Sequence, residues 1–381
     1  MKEDQKDFVI FAVLAAVLLF AWPVVMGWMF PQQPPAPTQI KGGETKAVPN
    51  PAADPTADSP QATRTRAAVL AESPRVRIET PTLKGSINLK GARIDDLVLV
   101  KYLETVARNS APIRLLSPAG APEAYFAGFG WRDDGLRPPS VDTVWQTSGD
   151  LLAPGKSVTL EAANDQGQRF RIELAVDDGY MFTIKQTVVN RGAGPVPVAP
   201  YGLVNRSGIF LEPDSWTIHI GPMAVHNGKA DYDTNFTDLD TAQAPIGFTS
   251  NAAWLGFTEK YWLTALVPAQ GEQVAGQFRP GPNKSYQADY ALPPKLLPPG
   301  KQITQISHFF AGAKETARVD GYERDLGIAK FGNAIDWGWF EIVEKPIFYY
   351  LDWLFRMVGN FGVAIILLTI TIRALLFPIA N

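Results

Sequence analysis

The sequence predicts a mainly β protein: a large antiparallel β sandwich held between two transmembrane helices, with an amphipathic helix leading into the second. Three observations carry that expectation. Apolar segments long enough to span a bilayer lie near both ends, at residues 8–30 and 357–381. Short runs between them alternate polar and apolar side chains at period two, with Gly, Pro and Asp clusters separating the runs. No sustained helical period appears before residue 314.

Residues 1–30 read as an N-terminal signal anchor. Residues 8–30, FVIFAVLAAVLLFAWPVVMGWMF, carry no charge. A cleaved signal peptide has an apolar stretch of about 7–15 residues followed by a small-residue cleavage site, and this segment fits neither criterion. A membrane helix tolerates Pro23 and Gly27, and Trp22 and Trp28 suit its interfaces. Lys2 and Lys6 precede the segment, and the next basic residue is Lys41. The positive-inside rule therefore puts the N-terminus in the cytoplasm and the region between the spans on the outer face.

Residues 31–73 read as a flexible tether. Eight prolines fall within residues 31–60, among Ala, Thr, Asp and Gln. Such a composition cannot bury enough apolar surface to order itself.

Residues 74–335 read as the β domain with helices at its C-terminal end. Phe170, Ile172, Leu174 and Val176 alternate with polar neighbours. Tyr180, Phe182 and Ile184 repeat the pattern after an Asp177–Asp178–Gly179 turn, so the pair reads as a hairpin. Further strand-like runs lie at 76–79, 85–89, 97–103, 145–147, 158–161, 216–220, 262–267, 273–278 and 302–310. Short strands at this spacing point to an antiparallel sandwich, not to βαβ units. Residues 314–335, richer in Lys, Glu, Arg and Ala, read as one or more helices that close the domain.

Residues 337–358 read as an amphipathic helix, broken or bent near Pro346. Phe340, Val343, Ile347, Leu351, Leu354 and Val358 recur at spacings of three and four, with Glu341, Lys345, Asp352 and Arg356 on another face. The apolar face runs directly into the second span, which favours a helix lying in the membrane interface over one packed on the β domain. Its interfacial anchors would be Trp337, Trp339, Phe340, Ile347, Phe348, Leu351, Trp353 and Leu354.

Residues 360–381 read as the second span. Its one charge, Arg373, lies roughly 18 Å along a helix started at Phe361, at about 1.5 Å per residue. A central Arg costs about 2.5–3.5 kcal/mol on insertion scales, so such residues usually face a bundle interior or a wet cavity. The alternative is that Arg373 snorkels to the cytoplasmic interface and only fixes orientation.

Composition narrows the function. Lys+Arg is 35 against Asp+Glu 38, a balance that speaks against a nucleic-acid partner. No cysteine is present, which removes disulfides, zinc-thiolate sites and Cys nucleophiles. The three histidines, His219, His226 and His308, lack the spacing of a helical metal pair. The acid pairs Asp95–Asp96, Asp133–Asp134 and Asp177–Asp178 read as solvated punctuation, not as catalytic dyads. No enzyme motif appears, and no cofactor or metal is expected.

The stretch WGWF…PIFYYLDWLF, the turn at residues 357–360 and the following FGVAIILLTITIRALLFP together resemble the YidC/Oxa/Alb family of membrane protein insertases. The anchor, the Pro-rich tether and LKGSINLKGARIDDLVLVKYLET (residues 83–105) are similar to the Gram-negative form of that family. The resemblance implies that the large domain is periplasmic, a β-supersandwich with a galactose-mutarotase-like fold. It implies that residues 360–381 are the first helix of the insertase core, with Arg373 in a hydrophilic groove that receives substrate segments. Implied partners are nascent inner-membrane proteins, the Sec translocon and the lipid bilayer; the implied location is the bacterial inner membrane, crossed more than once. The family core has five spans, so the chain is expected to be the N-terminal part of an insertase. The competing expectation is a membrane-tethered periplasmic protein that binds or modifies carbohydrate, with Trp131, Trp145, Trp216, Trp254 and Trp262 offered for stacking.

Overall fold

A computed structural model describes residues 64–380 apart from 106, 108, 209–218 and 339–340. The expected anchor, nearly all of the tether, most of the strand at 216–220, and Trp339 and Phe340 lie outside the described residues.

Among the described residues, ten strands form one sheet and nine a second. The first runs in spatial order Ile246–Ser250, Val274–Gly281, Ser285–Ala291, Pro200–Ser207, Tyr125–Trp131, Arg93–Leu103, Leu83–Asn88, Arg75–Glu79 and Leu151–Leu152, with Pro112–Leu116 paired to Arg93–Leu103. The second runs Lys229–Asp231, Gly221–His226, Ala253–Thr258, Trp262–Val267, Gln302–Ala313, Met181–Asn190, Gln168–Val176, Val158–Ala163 and Gln146–Thr147. Pairing is antiparallel except where Arg75–Glu79 meets Leu151–Leu152. The expected hairpin is present: Phe182 faces Val176 and Ile184 faces Leu174 across the Asp177 turn.

The core lies between the two sheets. Tyr125, Phe129 and Trp131 share one face of their strand at period two. Each meets a ring of the second sheet: Tyr125 meets Phe257 at 6.4 Å, Phe129 meets Phe309 at 6.0 Å and Trp131 meets Phe170 at 5.2 Å. The Tyr125 and Thr264 hydroxyls also bond across the gap at 2.5 Å. This is the mainly β, antiparallel fold expected from the alternation.

Two expectations are corrected at the domain's first edge. The tether was expected to reach residue 73, but Arg66–Leu70 form helix α1, capped by Thr65, with Val69 buried. Asp95 and Asp96 were expected to be solvated, and both are buried. Asp96 faces Ser86 and Ile94 faces Ile87, so Asp95 is the extra residue of a β-bulge. The bulge turns both carboxylates into one network with Arg75, Ser86 and Arg66, where each finds a cation.

Four more helices follow: α2 Phe236–Thr241, α3 Thr316–Leu326, α4 Glu341–Val358 and α5 Phe361–Ala380. A 3₁₀ turn at Phe331–Ala334 separates α3 from α4. Helix α4 continues through Pro346, against the expected break. Pro346 removes only the bond to the Ile342 carbonyl, and Ile342 is 88% exposed, so water can satisfy that oxygen. The chain turns instead at Gly338, whose φ of 62° lies in the left-handed region that glycine adopts without strain. Among the described residues no helix is long and apolar enough to cross a membrane.

Candidate functional site: the helix pair and the cavity beside it

The last strand delivers Lys314 and Glu315 to the start of α3. Glu315 gathers three donors: Tyr102 Oη at 2.9 Å, Tyr180 Oη at 2.7 Å and Arg318 Nε at 2.8 Å. Burial pushes its carboxyl up, but the bonds from the two tyrosines and Arg318 outweigh that and hold it below its usual range. The same burial and the carboxylate push the Tyr102 hydroxyl up to about 12.

The segment after α3 is fastened to the second sheet. Phe331 is fully buried against Trp254, Phe310 and Tyr322. Trp254 Nε1 donates to the Ala329 carbonyl at 3.1 Å, and Tyr232 Oη donates to the Asn333 carbonyl at 2.6 Å. Helix α4 is then tied back to α3 by the Tyr349 hydroxyl, which donates to Asp320.

Helices α4 and α5 pack as a pair across a turn at Gly359, φ 68°. Asn360 caps α5 by accepting from the Val363 N–H at 3.2 Å. The Tyr350 and Thr371 hydroxyls meet at 3.1 Å between the helices. Leu354 and Ala364 are buried but lie apart from the β-domain core, so the pair itself covers them.

The expected anchors divide accordingly. Ile347, Phe348 and Trp353 are exposed, Leu351 is half-buried and Leu354 is buried. Trp337 precedes the helix and packs edge-on against Phe348 at 5.4 Å. Arg373 is exposed on α5 and makes no hydrogen bond or ion pair with a described residue. Of the tryptophans offered for stacking, Trp131, Trp145 and Trp254 are buried, Trp262 is half-buried and Trp216 lies outside the described residues.

A cavity of about 640 Å³, which the sequence did not announce, lies where the β domain meets α4. Tyr102 and Leu103 line it from one strand end, and Lys260, Tyr261 and Trp262 from a turn of the second sheet. Lys314 and Glu315 line it below α3, and Asp336, Trp337 and Phe348 from the approach to α4 and the helix itself. Tyr102 and Trp262 meet edge to face at 5.1 Å within it.

Lys314 Nζ donates to the Thr258 hydroxyl at 3.1 Å, a neutral acceptor. Burial pushes its ammonium down to about 8, against the pull of Asp336 and Glu259. A lysine depressed in the folded state opposes folding wherever both states are charged. Lys314→Met is therefore expected to stabilise the domain by about 2 kcal/mol at pH 7. Between pH 8 and the unfolded value of 10.5, the unfolded chain holds the proton that the folded chain has lost. Wild-type stability climbs through that window and the advantage of the variant shrinks. Urea melts of both proteins at pH 7 and 9.5 check this; a constant difference would sink it.

Residues 75–350 match the family described as the YidC periplasmic domain. The chain is 45% identical to the membrane protein insertase YidC of Zymomonas mobilis, over all of this chain and 65% of that protein. It is 39% identical to that of Dinoroseobacter shibae, over all of this chain and 66% of the relative. For that of Methylobacterium nodulans the identity is 41%, over 90% of this chain and 58% of the relative. The chain thus spans less than two thirds of the length of these curated relatives. Among solved structures, a galactose mutarotase related enzyme from Lactobacillus acidophilus superposes with a TM-score of 0.42 at 10% identity, covering 62% of this chain and 97% of that one. A galactose mutarotase-like protein from Lactobacillus casei gives 0.41 at 13% identity, covering 62% and 100%.

Proposed function

The chain belongs to the YidC family of membrane protein insertases, and from that premise we propose that it acts as the front part of an insertase of the bacterial inner membrane. In this reading the N-terminus is cytoplasmic, the β domain is periplasmic, α4 lies in the interface and α5 crosses the bilayer. Ile365, Ile366, Ile370, Leu375 and Leu376 are all exposed on α5, a surface suited to lipid or to further helices. Thr369 and Thr371 donate to the carbonyls of Ile365 and Leu367, so neither hydroxyl brings an unsatisfied donor into the membrane.

The observation that carries the reading is Arg373, a cation without a partner on an otherwise apolar helix. Inside a membrane such a charge draws water and acidic or polar groups toward it. A polar segment of a nascent membrane protein would then meet a smaller barrier partway across, and its apolar span would partition into lipid. The work is thermodynamic and needs no reacting group. One helix does not wall a groove, so the remaining walls would come from the rest of the insertase, with the Sec translocon as a further partner.

Arg373→Ala in the complete insertase is expected to slow insertion of a single-span reporter by roughly fivefold, the equivalent of about 1 kcal/mol. Arg373→Lys, which keeps the charge, should retain most of the rate. Insertion at the wild-type rate in the alanine variant would remove the assigned role.

A further inference from the structure

The cavity between the β domain and α4 plays no part in the reading above. It has the composition of an amphiphile site: Tyr261, Trp262 and Trp337 supply apolar wall, and two amines stand beside them. Its volume lies within the ordinary range for small-ligand sites, about 300–1,000 Å³.

The charges favour an anion. Glu315 is already engaged by three donors. Asp336 accepts from the Gly338 N–H at 2.9 Å. Lys314 bonds only a neutral hydroxyl and forms no ion pair among the described residues. Lys260 carries its amine over the Tyr261 ring at 5.3 Å. Two ammonium groups thus meet in a recess whose carboxylates are occupied.

Position favours a lipid. Phe348 is a wall of the cavity and belongs to the same helix as exposed Ile347 and Trp353. Tyr261 stands 54% exposed, as an interfacial tyrosine would.

We propose that this cavity binds the phosphate-bearing headgroup of an anionic phospholipid, the phosphate between Lys260 and Lys314 and the glycerol against Tyr261, Trp262 and Trp337. The proposal rests on the reading that α4 lies against the bilayer. Bound lipid would tie the β domain to the membrane surface next to the helix pair.

Native mass spectrometry of the full chain in detergent, with phosphatidylglycerol, phosphatidylcholine or inorganic phosphate added, tests it. One phosphatidylglycerol should be retained in preference to phosphatidylcholine. Its affinity should fall about tenfold in Lys260→Gln and in Lys314→Met, each of which removes a charged contact, and further in the double variant. Equal retention by wild type and the double variant overturns the site. Equal retention of phosphatidylcholine overturns the anionic headgroup. Inorganic phosphate that binds and displaces the lipid makes it a site for free phosphate and overturns the lipid. The readout in detergent does not require α4 to touch a bilayer. Flotation of Trp353→Asp with neutral vesicles tests that contact separately, so either idea can fail alone.

Discussion

Phe310→Ala is expected to cost the β domain about 3–5 kcal/mol, the range for truncating a buried aromatic side chain. Phe310 is fully buried on the strand Gln302–Ala313, facing Met181 on one side and Ala265 on the other. Its ring also meets Tyr180 at 6.0 Å, Tyr322 at 5.9 Å and Phe331 at 5.4 Å. Tyr322 belongs to α3 and Phe331 to the 3₁₀ turn, so this ring is where the second sheet holds the chain that leads to α4. The loss should therefore have two signatures. The urea midpoint should fall, and proteolysis between residues 327 and 338 should speed up before global unfolding does. Phe310→Leu, which preserves most of the volume, should cost about 1.5 kcal/mol or less. A loss below that for the alanine variant would mean that the neighbouring rings close the cavity without penalty.

Sheet class was legible in the sequence where strands have one wet face. The strand Gln168–Val176 alternates buried and less buried positions, and its alternation was plain. Ser285–Ala291 and Ala253–Thr258 are buried at every position, and Tyr125–Trp131 at all but one. Period two carries no signal when both faces are covered, so three central strands escaped notice. Asp95 and Asp96 misled for a related reason: the rule of opposite faces holds only without a bulge. The apolar stripe of α4 was visible, but the sequence does not say how it is shared. Leu354 went to α5, while Ile347 and Trp353 stayed outside. The cavity could not be read at all, because Tyr102, Trp262, Lys314 and Phe348 belong to distant parts of the chain and only the fold joins them.

Arg206→Met is expected to cost about 3 kcal/mol, because it breaks a buried ion pair and leaves its carboxylate behind. The Arg206 side chain is 2% exposed and its Nη1 lies 2.7 Å from Glu259 Oε1, which is itself 17% exposed. Its guanidinium stands over Tyr125 at 5.2 Å and over Phe236 at 5.9 Å, so methionine can fill part of the space. The remaining penalty should come from Glu259. Adding Glu259→Gln to Arg206→Met removes that charge and should recover more than half of the loss, since neutral replacement of a buried pair is often close to harmless. A double variant as unstable as the single one would show that lost packing, not a stranded charge, sets the cost. The same variants report on Lys314, whose ammonium is drawn upward by Glu259. Freed from Arg206, Glu259 should strengthen that pull and move the rise in stability to higher pH; in Glu259→Gln the rise should begin lower. Melts across pH 7–10 would then link the buried pair to the cavity amine through one shared carboxylate.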